Sequence, residues 1–354
     1  MPTVAFYISG HGFGHASRTI EVINALLAQR DDLRIVVRTS ADKWLFDRTV
    51  RAPRPDMFEH DHVEADTGVM QIDSLHLDEA ATIRDAREFM QSLDRRIGRE
   101  VRFLQEQHAA LVVADVPPLG IAAASAAGLP SVVLGNFTWD WIYAAYPESG
   151  DVAAACGAAY SRADVALRLP MHGGFATIPQ MVDLPFVARR SRHDPAQTRA
   201  AMGFPAAGRL VLVSFGGYGI RRIDEAAVRR LDDYVVLMSG VNFDEQAMYA
   251  AGLRYEDIVR AVDVVVSKPG YGIIAECIAN DAALLYTSRG HFVEYDVLTA
   301  AMPRFLRTAY IDHDDLFAGR WQAHLDELMG TAAPTKKPAV DGAEVAAVRL
   351  MAMI

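Results

Sequence analysis

A short apolar segment that runs into a glycine turn occurs near the start of each half of this chain. In the first half, residues 4–8 (VAFYI) lead into GHGFGH at residues 10–15. In the second half, residues 209–215 (RLVLVSF) lead into Gly216 and Gly217. A strand followed by such a turn and a helix begins a βαβ unit, which builds a parallel sheet. The repetition predicts two Rossmann-like α/β domains that face each other across a cleft.

The rest of the chain alternates short apolar runs with segments of helical periodicity. Apolar residues from Ile20 to Leu27 recur at helical spacing and predict a helix directly after the first glycine turn. Further strands are predicted at residues 33–37, 111–113, 131–134, 165–167, 234–238, 262–266 and 283–286. Further helices are predicted at residues 256–260 and 273–279.

The length of 354 residues predicts two domains at ~150 residues each. The apolar pattern lapses after residue 170, before a basic run at residues 189–193, and restarts at residue 209. The expected divisions are an N-terminal domain over 1–170, a linker over 171–208, a C-terminal domain over 209–330 and a tail over 331–354. The tail is expected to be exposed up to residue 340 and to form a final helix over 344–353.

Composition limits the partners and the compartment. Lys and Arg total 35 and Asp and Glu total 45, and the net charge of −10 favours a small or neutral partner over nucleic acid. Cys156 and Cys277 lie in no CxxC pattern, so we expect no disulfide framework and a reducing compartment. The N-terminus lacks a basic signal-peptide region and prolines interrupt the apolar stretch at 109–134, so we expect a soluble, cytoplasmic protein without a transmembrane segment.

The first glycine turn matches neither common nucleotide motif. Dinucleotide binding needs G-x-G-x-x-G, but the third glycine would stand at position 15, which is His15, and residues 38–40 offer no acid for a ribose. The G-K-[ST] of a P-loop does not follow either. The turn instead brings His11 and His15 to the carboxyl end of the sheet, where an imidazole can act as a general base. The alternative is that a histidine only braces the turn.

A second glycine segment, SKPGYG at residues 267–272, opens a helix in the second half. Its glycines allow close backbone approach, and the helix start presents free N–H groups and a positive dipole end, which together predict an anion site. Lys268 adds a positive charge, and Glu276 lies one turn into the helix, within reach of a ribose diol. With the turn at Gly216 upstream, this pattern indicates a nucleoside-diphosphate site. The alternative is a glycine-capped loop with an exposed acid.

Other polar residues allow more than one interpretation. Asp115 follows a strand and either orients His15, acts as a base itself, or caps the helix after Pro117. Residues 136–143 (NFTWDWIY) mix aromatic and polar groups that suit a sugar ring, although core packing explains the aromatic residues equally well.

Some charged clusters are expected to carry no chemistry. Residues 59–62 (EHDH) and 312–315 (DHDD) contain metal-ligand residue types, but both are predicted as loops and neither has a metal-site spacing, so no metal is expected. The basic run at 189–192 is predicted to be a solvated part of the linker. The alternative for this run is a patch that binds a phosphorylated acceptor.

The two glycine segments together resemble a known family. GHGFGHASR at residues 10–18, combined with residues 267–272 and Glu276, is similar to the GT-B glycosyltransferases, in particular the MurG-like group. It is closer still to the glycosyltransferase-like N-terminal region of plant L-arabinokinases. That resemblance covers most of the chain and extends through residues 66–73, 113–117 and 136–143. No sugar-kinase sequence follows Ile354, so kinase activity is not expected.

The resemblance implies metal-independent transfer of a sugar from a nucleoside-diphosphate sugar, with UDP the expected nucleotide, to a hydroxyl acceptor with inversion. No cofactor beyond that co-substrate is expected. The implied catalytic residues are His15 as general base, with Asp115 and His11. The implied donor-binding residues, in the C-terminal domain, are Gly216, Gly217, Lys268, Gly270, Tyr271, Gly272, Glu276 and Glu294. The implied acceptor-binding residues, in the N-terminal domain, are Gly14, Arg18, Gln71, Asn136, Trp139 and Asp140.

Two alternatives stay open. One is a nucleotide-sugar 2-epimerase or hydrolase on the same fold, and the other is a non-catalytic protein that binds a nucleotide sugar. The acceptor, the sugar, the stereochemical outcome and the oligomeric state are not given by the sequence.

Overall fold

The computed structural model describes residues 1–216, 220 and 223–354. Gly217, which is expected near the diphosphate, lies outside the described residues. In the described ranges the strands form one sheet of seven and one of five strands, and all pairings within each sheet are parallel. The predicted pair of parallel sheets is therefore present, with one sheet in each half of the chain.

The N-terminal sheet has the strand order β3-β2-β1-β4-β5-β6-β7. Its strands are β1 (Thr3–Ile8), β2 (Arg34–Thr39), β3 (Phe58–His62), β4 (Ala109–Asp115), β5 (Ser131–Gly135), β6 (Val165–Arg168) and β7 (Met181–Asp183). The helices between them are α1 (Phe13–Gln29), α2 (Lys43–Thr49), α3 (Glu79–Gln91), α4 (Leu93–Glu106), α5 (Pro118–Ala127), α6 (Trp139–Ala144) and α7 (Gly150–Tyr160), with a 3₁₀ turn at Pro55–Met57. The order reverses between β1 and β4, and ligands of open α/β sheets bind at such a switch point.

The C-terminal sheet has the order β12-β11-β10-β8-β9, with its reversal between β8 and β10. Its strands are β8 (Arg209–Val213), β9 (Tyr234–Met238), β10 (Val264–Ser267), β11 (Ala283–Tyr286) and β12 (Thr308–Tyr310). The helices that follow β7 in the chain are α8 (Pro195–Ala201), α9 (Glu225–Val228), α10 (Glu245–Ala250), α11 (Tyr255–Ala261), α12 (Tyr271–Asn280), α13 (Glu294–Ala301), α14 (His313–Ala318), α15 (Gln322–Gly330) and α16 (Gly342–Met351), with a 3₁₀ turn at Met302–Arg304.

Both faces of the N-terminal sheet are buried. In β1, Phe6 and Ile8 belong to one core cluster, whereas Tyr7 belongs to another on the opposite face. Alternate side chains of a strand point to opposite faces, so helices must cover both sides. This explains why the central strands are continuous apolar runs that are easy to recognise in the sequence.

The two clusters that were predicted as loops are regular elements instead. Residues 59–62 lie in β3, an edge strand paired with β2, where partial exposure accommodates charged side chains. Residues 312–315 begin α14, because the Asp312 carboxylate accepts a hydrogen bond from the backbone N–H of Asp315 and caps the helix. In the described ranges no group of three or more His, Cys, Asp or Glu side chains could hold a metal ion.

The end of the chain returns to the N-terminal domain. Residues 331–340 are mostly exposed, and α16 then packs against α1. Gly342 fits closely here, since a Cβ on it would overlap the carbonyl oxygen of Pro185. None of the helices in the described part of the chain is long and apolar enough to cross a membrane.

Candidate functional site

A cavity of about 810 Å³ lies between the two sheets, and we call it the interdomain cavity. Its N-terminal wall includes the predicted residues His11, Gly14, His15, Arg18, Gln71 and Asn136. Its C-terminal wall includes the predicted residues Gly216, Lys268, Gly270, Tyr271, Gly272, Glu276 and Glu294. The fold thus brings residues of both glycine segments to one place.

The turn between β1 and α1 places His15 at this cavity. Gly12 precedes the helix with φ of 71°, a left-handed conformation that favours glycine. Gly10 lies against Ser40, and a Cβ on Gly10 would overlap Ser40 Oγ. The reversal is therefore tight enough for His15 to lie in the first turn of α1, 6% exposed.

Asp115, at the end of β4, is 0% exposed and holds this part of α1. Its Oδ1 lies 2.8 Å from His15 Nδ1, and its Oδ2 accepts hydrogen bonds from Arg18 Nε at 2.7 Å and Thr19 Oγ1 at 2.6 Å. Burial by itself would raise the pKa of Asp115, but Arg18 and His15 hold that pKa well below its usual range. The capping alternative does not apply, because α5 begins at Pro118 without a side-chain cap.

The ionised Asp115 decides which nitrogen of His15 carries the proton. A carboxylate only accepts hydrogen bonds, so Nδ1 of His15 must donate to it. In the neutral ring this leaves Nε2 with a free lone pair. Because His15 lines the interdomain cavity, the arrangement is that of a positioned general base.

His11 is packed as part of the turn. Its ring lies edge-on to Trp139 at 6.0 Å, and its Nδ1 accepts from the N–H of Val69 at 3.4 Å. Its Nε2 lies 3.2 Å from Gln71 Nε2. Burial, helped by nearby cationic side chains, lowers the pKa of His11 well below its usual value. These contacts correspond to the alternative in which the histidine only braces the glycine turn.

A buried chain of hydrogen bonds crosses from one domain to the other. Arg18 Nη1 donates to Asn136 Oδ1 at 2.6 Å, and Asn136 Nδ2 donates to Glu294 Oε1 at 2.7 Å. Arg18 also binds Asp115, so the carboxylate that orients His15 is linked to the first residue of α13 in the C-terminal domain. All these side chains are less than one tenth exposed.

The N-termini of α1 and α12 meet at the cavity. The position that a Cβ would take on Gly272 lies 3.5 Å from Cα of Gly14. The first turn of each helix has free N–H groups and the positive end of the helix dipole. Two such ends at one place favour an anion there.

Two cationic side chains lie beside these helix ends. Lys268 donates to Gln71 Oε1 at 3.3 Å, and burial, with the nearby charge of Arg289, lowers the pKa of Lys268 to about 7. Arg289 is 8% exposed, stacks over Phe292 at 4.2 Å, and its Nε has no hydrogen-bond partner within the described ranges. Arg289 is buried and Lys268 is half-buried, and cationic side chains with so few protein partners suit an anionic ligand.

No family model matches the chain. In sequence it is 28% identical over 358 residues to L-arabinokinase of Arabidopsis thaliana, an alignment that covers 97% of this chain and 33% of that protein. The chain therefore spans about a third of the length of the curated relative that it matches.

Solved glycosyltransferases share the arrangement of both domains. The chain aligns with Phytolacca americana UGT2 bound to UDP-2fluoro-glucose and pterostilbene, with a TM-score of 0.60, 13% identity and coverage of 100% of this chain and 94% of that one. For the glycotransferase of kitacinnamycin the TM-score is 0.64, with 14% identity and coverage of 100% and 99%. For Arabidopsis thaliana UGT89C1 bound to UDP it is 0.61, with 13% identity and coverage of 99% and 92%. The chain has the GT-B fold.

Within this GT-B fold, Glu276 has a partner that the sequence analysis did not predict. Arg189 Nε donates to Glu276 Oε1 at 2.6 Å, and both side chains are largely buried. The prediction of a solvated run at 189–192 is therefore wrong for Arg189, because an acid on α12 holds it. Tyr271, also on α12, is buried, and its hydroxyl accepts from the N–H of Val187 at 3.2 Å.

Trp139 and Asp140 do not line the interdomain cavity of the GT-B fold. Trp139 is fully buried, stacks on Tyr143 at 5.3 Å and donates from Nε1 to Asp66 at 2.7 Å. Asp140 lies on α6 against Gly157 of α7. Core packing accounts for Trp139, whereas Asp140 Oδ1 is buried without a hydrogen-bond partner in the described ranges.

Sequence reasoning did not single out Arg289, which lines the interdomain cavity, or Asp66, which accepts the hydrogen bond from Trp139. Arg289 lies three residues after the end of β11. Ligand contacts of α/β domains concentrate at the carboxyl ends of strands, so this position could have indicated a binding residue. Asp66 follows β3. Because β3 was predicted as a loop, the position of Asp66 after a strand end was not recognised.

Proposed function

We propose that this chain is a metal-independent glycosyltransferase that transfers a sugar from a nucleoside-diphosphate sugar, with UDP as the nucleotide, to a hydroxyl group of a small molecule or glycan. The observation that carries the proposal is that His15, oriented by the buried Asp115, lines a cavity where two helix N-termini also meet. The UDP complexes of two aligned GT-B proteins support the choice of nucleotide. Membership of the MurG-like group and a cytoplasmic location remain expectations.

In the proposed reaction, Nε2 of His15 removes the proton from the acceptor hydroxyl. The acceptor oxygen forms a bond to the anomeric carbon while the bond from that carbon to the diphosphate oxygen breaks, so the configuration inverts. Asp115 stabilises the imidazolium that forms, since it lies 2.8 Å from Nδ1 and is ionised. The electron pair of the broken bond leaves with UDP.

The leaving diphosphate gains negative charge, and groups of the C-terminal wall stabilise it together with the start of α1 on the N-terminal wall. Lys268 and Arg289 provide positive charge, and the starts of α1 and α12 provide N–H groups. Gly216, Gly270 and Gly272 allow the backbone to approach the phosphates. Glu276 and Glu294 are assigned to the ribose and the donor sugar, and their Oε1 atoms already accept protein hydrogen bonds.

The first test is ligand-dependent thermal unfolding with UDP, GDP, dTDP and ADP and their sugar conjugates, with and without EDTA. A ligand at about 100 times its Kd stabilises the protein by roughly 2.7 kcal/mol. We expect UDP and its conjugates to raise the melting temperature equally in both conditions. No shift with any nucleotide would contradict the proposal, and a shift that EDTA abolishes would contradict metal independence.

A second measurement separates the alternative activities. Each stabilising UDP-sugar is incubated with the protein alone and then with mixed hydroxyl acceptors, and the products are separated by chromatography. Transfer requires an acceptor, whereas a hydrolase or 2-epimerase forms free or isomerised sugar without one. A protein that binds the donor but forms no product in either case would be the non-catalytic alternative.

A further inference from the structure

A second cavity of about 660 Å³ opens at the carboxyl edge of the N-terminal sheet, and we call it the side cavity. It shares three wall residues, His11, Gly12 and Gln71, with the interdomain cavity. A Cβ on Gly12 would meet nothing within 4 Å. The two cavities therefore adjoin at Gly12, where no side chain fills the space between them, and His15 lies on the interdomain side of this boundary.

Charged and polar side chains dominate the wall of the side cavity. They come from the segment after β2, from the end of β3 and the segment that follows it, and from α3, α4 and the residue between these helices. The charged ones include Glu64, Asp66, Asp85, Glu88, Arg95 and Arg96. The larger apolar side chains in the wall are Val69, Met70 and Phe89. The interdomain cavity, by contrast, has many aromatic and aliphatic side chains in its wall, among them Phe13, Trp44 and Phe137.

This polarity decides between kinds of acceptor. A planar aromatic molecule would cover carboxylates and guanidinium groups without offering hydrogen bonds in return, and such desolvation is costly. A hydroxyl group both donates and accepts, so it can bind either kind of charged group. A compound with many hydroxyl groups therefore fits the side cavity, and an aromatic one does not.

Part of the wall is held in place before any ligand binds. Asp66 is 6% exposed, and its two oxygens accept from Ser9 Oγ at 3.0 Å and Trp139 Nε1 at 2.7 Å. Arg96 donates from Nη2 to Glu64 Oε2 at 2.9 Å and from Nε to Ser92 Oγ at 2.9 Å. Side chains fixed in this way lose little freedom on binding, which favours recognition of a small polar ligand.

We propose that the side cavity binds the acceptor and that the acceptor is a sugar or polyol. The proposal rests on the proposed transferase function and names its acceptor class. The cavity volume lies within the roughly 300–1,000 Å³ typical of small-molecule pockets, which is enough for a monosaccharide or disaccharide. Asp85 and Glu88 on α3 are the carboxylates expected to accept hydrogen bonds from its hydroxyl groups.

The test is saturation-transfer NMR on the full chain with myo-inositol, glucose, glucosamine and pterostilbene, an aromatic compound with a single hydroxyl group, each with and without UDP. The variant D85N/E88Q removes two carboxylates from the side cavity. The control D94N/E106Q makes the same charge change at two exposed positions of α4 that line neither cavity. Thermal unfolding of both variants with UDP checks that the fold and the donor site are intact.

We expect at least one of the hydroxylated compounds to bind the wild type and the control. Loss of charge-assisted hydrogen bonds should weaken its binding by about tenfold in D85N/E88Q, with the UDP-dependent stabilisation unchanged. Binding of pterostilbene alone, equal binding of the polyol to both variants, or no binding of any polyol would each overturn the proposal. Those outcomes leave UDP binding and product formation intact, whereas failure of the transferase function itself would appear as absence of UDP binding, or of product with any acceptor, in the wild type.

Discussion

The two walls of the interdomain cavity differ in how their charged groups are satisfied. On the N-terminal wall, both oxygens of Asp115 are occupied by side chains of α1. On the C-terminal wall, Arg289 Nε lacks a hydrogen-bond partner in the described ranges, and Lys268 donates to Gln71 over 3.3 Å. The buried acid behind the N-terminal wall is therefore paired within the protein, whereas the two cationic side chains of the C-terminal wall are suited to bind a ligand. A general base needs partners that fix its orientation, as Asp115 does for His15. Binding of an anion needs cationic groups that are not already paired within the protein, such as Arg289.

The comparison predicts that removing the base abolishes turnover but not donor binding. His15→Ala should lower the transfer rate by ~10²–10⁴-fold, because the acceptor hydroxyl then has no positioned base. UDP-dependent stabilisation should stay as in the wild type. Rates of product formation and melting temperatures with UDP measure the two effects, and His193→Ala, an exposed histidine outside the cavity, is the control. Equal rates for His15→Ala and the control would remove His15 from the mechanism.

The N-terminal wall should be sensitive to the loss of its central charge. Asp115→Asn leaves Arg18 buried without its ion pair, and breaking a buried pair typically costs about 3–5 kcal/mol in the free energy of unfolding. Denaturant unfolding measures this loss. Asp94→Asn, an exposed acid on α4, should change stability little. A stable Asp115→Asn protein would show that the wall is not held by this carboxylate.

On the C-terminal wall, loss of a charge should weaken ligand binding rather than lower the stability of the fold. Arg289→Met keeps contact with Phe292 but removes a buried cation, so the unfolding free energy should stay equal or increase. The affinity for UDP should fall about 10- to 100-fold through loss of a charge-assisted contact of about 1.5–3 kcal/mol. Calorimetric titration with UDP and denaturant unfolding test both parts. Unchanged UDP affinity would place the diphosphate away from Arg289.

Lys268 should make UDP binding depend on pH. Its pKa in the free protein is lowered to about 7, so it is largely neutral above that pH, and binding an anion must then take up a proton. UDP affinity should therefore fall as pH rises from 7 to 9, by at most about tenfold per pH unit for one proton. Arginine keeps its charge over this range, so Lys268→Arg should give a flat profile. A flat profile in the wild type would contradict a role for this ammonium group.

Local sequence patterns were sufficient to predict the central strands and the glycine turns. Strands such as β1 and β4 are buried on both faces, so their residues are apolar throughout, and glycine marks the turns between strand and helix. The meeting of His15 and Asp115, 100 residues apart, followed from a general rule that the carboxyl ends of central strands lie together.

Contacts between distant charges could not be predicted in this way. Arg189 lies in a basic run that looks solvated, and only the folded chain shows that Glu276 is its partner. The edge strand β3 carries the polar sequence EHDH, since partial exposure removes the demand for apolar residues there. Docking of α16 on α1 likewise depends on how the last helix crosses the molecule, and no local pattern encodes it.

The return of α16 to the N-terminal domain means that the polypeptide passes between the domains twice. The two passing segments are paired: the N–H of Phe186 donates to the carbonyl of Ala339 at 3.1 Å, and the N–H of Gly342 donates to the carbonyl of Phe186 at 3.0 Å. Because hydrogen bonds tie the two segments together, a change in the angle between the domains has to bend both of them at this pair, which restrains the domains more than a single connection would.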